Sequence, residues 1–139
     1  MNLVSIFVAL AMFAVSAVHL AWALGSTFPA KDEKALVLSV AGFRGTEQMP
    51  PRIASFIVSI LTFGLGLWPF VASHFLSAEI VSGTGVFIAV GLGTRGTLGF
   101  TRWWRALTPE QPFAMLDRRY YSPLCLALGA AYLFIALRG

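Results

Sequence analysis

The sequence predicts an all-α membrane protein: four transmembrane helices in an antiparallel bundle, with short interfacial segments in the two longer connections. Three observations carry that expectation. The 139-residue chain is 58% hydrophobic and 12% charged, with a mean hydropathy of +0.78, whereas a soluble domain carries roughly 25% charge. It contains four apolar stretches close to the ~20 residues that a helix needs to cross a bilayer. Nearly all its basic residues fall in two of the segments between them. A soluble surface so poor in charge would be sticky, which excludes an ordinary soluble enzyme, a disordered chain and an ordinary nucleic-acid binder. The pI near 9.8 comes from ten basic residues set between apolar runs. A single cysteine excludes an intrachain disulfide, a CxxC redox pair and a cysteine-based zinc site. The length fits one domain, residues 1–139.

The first span is Leu3 to Leu24, with His19 its only ionisable side chain. No Lys or Arg precedes Lys31, and the apolar run exceeds the 7–15 residues of a signal peptide, so it reads as a retained span. In the connection that follows, Ala35 to Phe43 is apolar but too short to cross, and is expected to be interfacial or re-entrant. The second span is Ile53 to Ser73, uncharged, with Pro69 expected to kink it. A short link around His74 to Glu79 leads to the third, Ile80 to Phe100, interrupted by Arg95. Thr108-Pro109-Glu110-Gln111 then has the spacing of a capping box with Pro at the first helical position. It predicts a surface helix from Pro109 to about Asp117. The fourth span is Tyr120 to Leu137, again uncharged. Backbone polar groups in lipid must be paired within the segment, so all four are expected as helices. Trp103, Trp104, Tyr120 and Tyr121 have the placement of a headgroup-level aromatic belt.

Orientation follows from charge. Lys31, Lys34, Arg44 and Arg52 lie in or at the end of the first connection, and Arg102, Arg105, Arg118 and Arg119 in the third. The opposite side has Arg138 alone. The bias predicts cytoplasmic long connections and both termini outside.

Helices in lipid associate through small and weakly polar residues, and each span offers such a stripe. The first has Ser5, Ala9, Met12, Ser16, His19 and Ala23. The second has Ser55, Ser59, Thr62 and Gly66, the third Gly85, Ala89, Gly93 and Gly96, and the fourth Ser122, Cys125 and Gly129.

Two ionisable groups stand out within spans. His19 lies about 24 Å along the first helix from Leu3, and Arg95 about 22 Å along the third from Ile80, so both fall near the cytoplasmic boundary. Arg95 has three readings: snorkelling, pairing with Asp117 or a carbonyl, or holding a phosphate or carboxylate headgroup. Arg102, Arg105, Arg118 and Arg119 would extend a basic rim toward anionic inner-leaflet lipids. His19 is read either as bonded to a backbone carbonyl or Ser16, or as a headgroup, quinone or proton-transfer residue. His19 and His74 sit at opposite faces and cannot share a haem. A small drug exporter needs a membrane-embedded carboxylate, and none of the four spans has one. Gly91-Leu92-Gly93-Thr94-Arg95-Gly96 matches a dinucleotide fingerprint in letters but lacks the preceding strand.

Several strings are more specific than these patterns: His19-Leu20-Ala21-Trp22-Ala23-Leu24-Gly25, Arg95-Gly96, Pro112-Phe113-Ala114, and Asp117-Arg118-Arg119-Tyr120-Tyr121-Ser122-Pro123-Leu124-Cys125-Leu126. Together they resemble a bacterial family of short four-span membrane proteins known as a domain of unknown function, over nearly the whole chain. The chain departs from that pattern at Phe28-Pro29, where Trp-Pro is expected. The resemblance implies a fold and topology in the bacterial cytoplasmic (inner) membrane and implies no activity.

The strings cluster at the predicted cytoplasmic ends, so His19, Trp22, Arg95, Arg102, Asp117, Arg118 and Tyr121 form the expected ligand-binding cluster. No cofactor or metal is expected. The leading reading is non-enzymatic: binding of an anionic lipid or quinone-like headgroup, or of a larger membrane protein complex, in an accessory or assembly role. The expected partners are anionic inner-leaflet lipids and not nucleic acid. The alternatives are a membrane-embedded enzyme acting on a lipid headgroup, with His19 as acid or base and Arg95 as anion clamp, and a small-solute transporter.

Overall fold

The computed structural model describes residues 2–138, and its regular structure among these is helical throughout. In chain order the elements are α1 (Leu3–Ala23), α2 (Glu33–Val40), α3 (Arg52–Phe75), α4 (Ala78–Leu98), α5 (Arg102–Leu107), α6 (Phe113–Leu116), a π-helical segment (Asp117–Tyr121) and α7 (Ser122–Arg138). Short polar side chains start three of them. Asn2, Asp32 and Thr101 accept hydrogen bonds from the backbone N–H groups of Ser5, Ala35 and Trp104, satisfying donors that a helix N-terminus leaves free.

The long helices associate as two pairs, α1 with α3 and α4 with α7. In the first, Ser16 Oγ donates to the Ser59 carbonyl at 2.8 Å and Ser59 Oγ donates back to the Ser16 carbonyl at 2.9 Å. Further along, Gly66 lies against Phe13, whose ring is 5.3 Å from that of Phe63. In the second, Gly85 meets Ala136, Gly129 lies on the backbone of Ala89 and Gly93, and Gly96 meets Leu126. Early residues of one helix meet late residues of the other in both pairs, so each is antiparallel. The small-residue stripes expected from the sequence supply these close approaches. Val8, Met12, Ala89, Leu128, Ala131 and Tyr132 form a buried core against which Leu65 and Trp68 pack, so all four long helices contribute to it.

One contact in this core follows from covalent chemistry. Pro69 lies inside α3 and has no N–H to give to the carbonyl four residues back. That carbonyl belongs to Leu65, and it accepts a hydrogen bond of 2.7 Å from the Tyr132 hydroxyl. The tyrosine is fully buried, and an unpaired carbonyl there would be costly.

Two expectations need correction. Where four spans were expected, three helices are long and apolar enough to cross a membrane by length and composition: Leu3–Ala23, Arg52–Ala72 and Phe113–Arg138. α4 matches α1 at 21 residues, but glycine and threonine occupy much of it and it carries Glu79 and Arg95, which lowers its apolarity. The second correction concerns residues 109–121. Thr108 does not open a helix; it is buried, and its hydroxyl donates to the Trp104 carbonyl at the end of α5. Gln111, which in a capping box would reach back to Thr108, accepts from the Met115 N–H instead, and Glu110 accepts from the Gly45 N–H. The helix starts at Phe113 and runs through the π segment into α7, so Arg118 and Arg119 lie within the last helix.

The two long connections pack on each other. The Glu110 N–H donates to the Gly42 carbonyl at 3.1 Å and the Arg44 N–H to the Leu107 carbonyl at 3.4 Å. Gly42, at φ +64°, leaves the space that the Phe113 ring occupies; a side chain there would be strained and would collide with the ring. Within the 35–43 segment, Leu36 and Val37 of α2 are buried in the protein.

Tyr132→Phe should lower stability in mild detergent by about 1 kcal/mol, the cost of one unpaired carbonyl in apolar surroundings. The loss should shrink in a Pro69→Ala background, where residue 69 regains an N–H for Leu65. Equal losses in both backgrounds, by thermal or denaturant melting, would contradict this pairing.

Candidate functional site

The site is built around Asp117, which is fully buried. It opens the π segment, where the Ser122 N–H bonds the Asp117 carbonyl, five residues back. That wider turn brings Ser122 Oγ to within 3.1 Å of Asp117 Oδ1, to which it donates. From α4, Arg95 donates to the same oxygen at 2.7 Å, and its other terminal nitrogen donates to Ser122 Oγ at 3.3 Å. From α5, Trp104 Nε1 donates to Oδ2 at 3.0 Å, and Arg105 donates to Oδ2 as well. Arg105 uses its remaining terminal nitrogen on the Ala114 carbonyl at 2.7 Å. The Arg95 guanidinium also lies 4.9 Å from the centre of a Trp104 ring, within cation–π range.

Each carboxylate oxygen therefore takes two donors, and two guanidiniums answer one buried negative charge. Gly99 at the end of α4 makes room for this: a Cβ on it would collide with the Ser122 side chain and press on Asp117. Arg95 spends both terminal nitrogens inside the cluster, so of its three sequence readings the structure has the pair with Asp117. The arrangement holds a carboxylate in place, and its lone pairs are already engaged by donors.

The other expected residues are distributed differently. His19 Nδ1 donates to the Val15 carbonyl at 2.8 Å, one turn back on α1, and its ring is 4.7 Å from the Trp22 ring. Trp22 Nε1 donates to the Phe28 carbonyl at 2.7 Å. Neither partner of His19 belongs to the Asp117 cluster. Tyr121 donates its hydroxyl to the Ser39 carbonyl at 3.0 Å, tying the π segment to α2. Arg102 and Arg118 are exposed. Sequence reasoning missed Trp104, Arg105 and Ser122 as members. Trp104 and Arg105 were read as belt and rim residues, and Ser122 as part of a packing stripe. Among the described residues, no group of three or more His, Cys, Asp and Glu side chains could hold a metal ion.

Away from the spans, Lys34 donates to Glu47 at 2.8 Å between α2 and the following loop. The hydrogen bond and opposite charge hold the Glu47 carboxyl below its usual range and raise the Lys34 ammonium above its own. Both side chains are exposed. A depressed carboxylate contributes above the unfolded glutamate range and is lost as pH falls through its folded value. A raised ammonium contributes below the unfolded lysine range and is lost as pH rises through its own. The pair is thus intact across neutral pH. An NMR titration of Glu47 should give a midpoint below that of an ordinary glutamate, moving back to the usual range in Lys34→Ala.

Asp117→Asn keeps the shape and removes the charge, leaving two guanidiniums unanswered around a buried amide. It should cost roughly 3 kcal/mol or more, as breaking a buried ion pair does, and lower the melting temperature in detergent well beyond any exposed-site variant. Gly99→Ala should also be destabilising, through the collision with Ser122. A melting temperature unchanged in Asp117→Asn would mean that the cluster is not what ties these helices.

Comparison with known proteins places this geometry in context. No curated protein and no solved structure matches the chain significantly. Residues 12–132, which include every member of the Asp117 cluster, match the profile of a family described as "Protein of unknown function (DUF3995)", and the chain belongs to that family.

Proposed function

We propose that this chain is a four-span protein of the bacterial cytoplasmic membrane, with its long connections cytoplasmic and its termini outside, that binds anionic inner-leaflet lipid headgroups in an accessory role. The fourth span in this reading is α4. Its length equals that of α1, it packs on α7, and its Arg95 is answered by Asp117, which reduces the cost of carrying that charge near the membrane. The packing of the two basic connections against each other supports placing both on one side. Positive charge near that side favours the cytoplasm.

The observation that carries the binding proposal is the division of labour among arginines. Asp117 engages Arg95 and Arg105. Arg102, Arg118 and Arg119 at the same end are exposed, and among the described residues none of the three has a carboxylate partner. Exposed Trp103 and Tyr120 stand beside them, a combination suited to the headgroup level, where aromatic rings settle and arginines meet lipid phosphates.

Single-cysteine reporters at Thr46 and Leu76, in a Cys125→Ser background, should label from opposite sides of sealed vesicles. Protein purified in mild detergent should be enriched in anionic over zwitterionic phospholipid by mass spectrometry, and the enrichment should weaken with salt. Labelling from one side sinks the topology. Lipid retained without charge preference sinks the binding proposal.

A further inference from the structure

We infer that the cleft beside the start of the last helix is a binding site for a phosphate ester, reached by Arg118 and Arg119. The inference deepens the lipid-headgroup reading above, on which its membrane-lipid form rests. The cleft has a volume of about 460 Å³ and is lined by Arg105, Gln111, Ala114, Met115, Arg118 and Arg119. Three of six lining residues are arginines, and no carboxylate lines it.

Asp117, adjacent in sequence to Arg118, is buried and already bonded to Arg95 and Arg105, so it does not answer the arginines at the mouth. Arg119 lies 5.6 Å from the ring of Tyr120, a contact that leaves its N–H groups as donors. Gln111 Oε1 accepts from the Met115 N–H at 3.1 Å, which orients the side-chain amide and leaves its NH₂ group to donate. Arg105 forms part of the wall, with its terminal nitrogens held by Asp117 and the Ala114 carbonyl, so the donors free at the mouth are those of Arg118, Arg119 and Gln111.

Ligand shape follows from how these donors are spread. Arg118 and Arg119 are neighbours on a helical segment, so their side chains leave it in different directions. Either guanidinium alone could fork a planar carboxylate, but only an anion with more than two oxygens uses both of them at once. They can flank a tetrahedral anion whose oxygens face several directions, with Gln111 as a third donor. Met115 and Tyr120, both exposed, put apolar surface next to this cationic mouth, as a lipid phosphate with acyl chains alongside would require. A soluble phosphate ester would satisfy the same donors without using that surface.

The test uses the full chain in nanodiscs and native mass spectrometry with three probes: phosphatidylglycerol, oleate as a carboxylate lipid, and soluble glycerol 3-phosphate. The wild type should bind phosphatidylglycerol in preference to oleate. Arg118→Gln/Arg119→Gln should reduce that binding roughly 30-fold while its melting temperature stays unchanged, since both side chains are exposed. Arg102→Gln removes one charge at the same end but outside the cleft, and should cost far less. If glycerol 3-phosphate displaces the lipid at comparable concentration, the phosphate site stands and the lipid-headgroup reading falls. Undiminished phosphatidylglycerol binding in the double variant overturns the site while leaving the lipid reading intact. Oleate binding as tight as phosphatidylglycerol, or an Arg102→Gln loss equal to that of the double variant, overturns the site as well.

Discussion

A buried carboxylate in a chain with so few charges sets the terms for everything around it. Taking the Asp117 charge out of water carries a penalty of several kcal/mol that only close opposite charge and a full set of hydrogen bonds can offset. The partners come from three separate elements: Arg95 on α4, Trp104 and Arg105 on α5, and Ser122 on the last helix. Satisfying the carboxylate therefore fixes the end of α4, the course of α5 and the first turns of the last helix at once. Gly99 belongs to the same constraint, because only a residue without a side chain lets α4 end so close to Ser122. Arg95 and Arg105 are stability devices by this logic, and any recognition of ligands falls to the arginines that the cluster leaves over.

Much of the helical layout was legible, for reasons that can be named. Apolar length located α1, α3 and α4 to within a few residues, and small residues at helical spacing marked the faces that meet, as Gly85, Gly96 and Gly129 do. The pairing of Arg95 with Asp117 was one of the options open to a lone arginine in a span. The capping-box spacing at Thr108 misled because both of its ends are used elsewhere, the Thr108 hydroxyl on the Trp104 carbonyl and the Gln111 side chain on the Met115 N–H. The apolarity of α4 was overread: its length is that of a span, but its glycines and threonines lower its hydropathy, and of them Gly85 and Gly96 lie against the last helix.

What stayed hidden was mostly non-local or non-periodic. Nothing in a linear reading joins Tyr121 to the Ser39 carbonyl or Phe113 to Gly42, since these contacts exist only once the two connections lie together. His19 illustrates the converse. Of its sequence readings the structure has the bond to a backbone carbonyl, one turn back along its own helix, a local solution open to any helical histidine. Pro69 was legible as a disturbance of α3, whereas its consequence, a carbonyl recruited by a tyrosine from the last helix, depended on the tertiary fold.

The π segment at Asp117–Tyr121 has a consequence for how the last helix tolerates change in length. A π turn takes in one residue more than an α turn, so the stretches before and after it are out of phase by about 100° relative to an unbroken α-helix. The side facing Gly42, set by Phe113, and the side facing α4, set by Ser122 and Gly129, keep their separate headings because of that extra residue. A single deletion between Asp117 and Tyr121 would permit a smoother helix with better backbone geometry. It would also turn one half of the rod away from its neighbours, so the irregular version is the one that lets both halves dock.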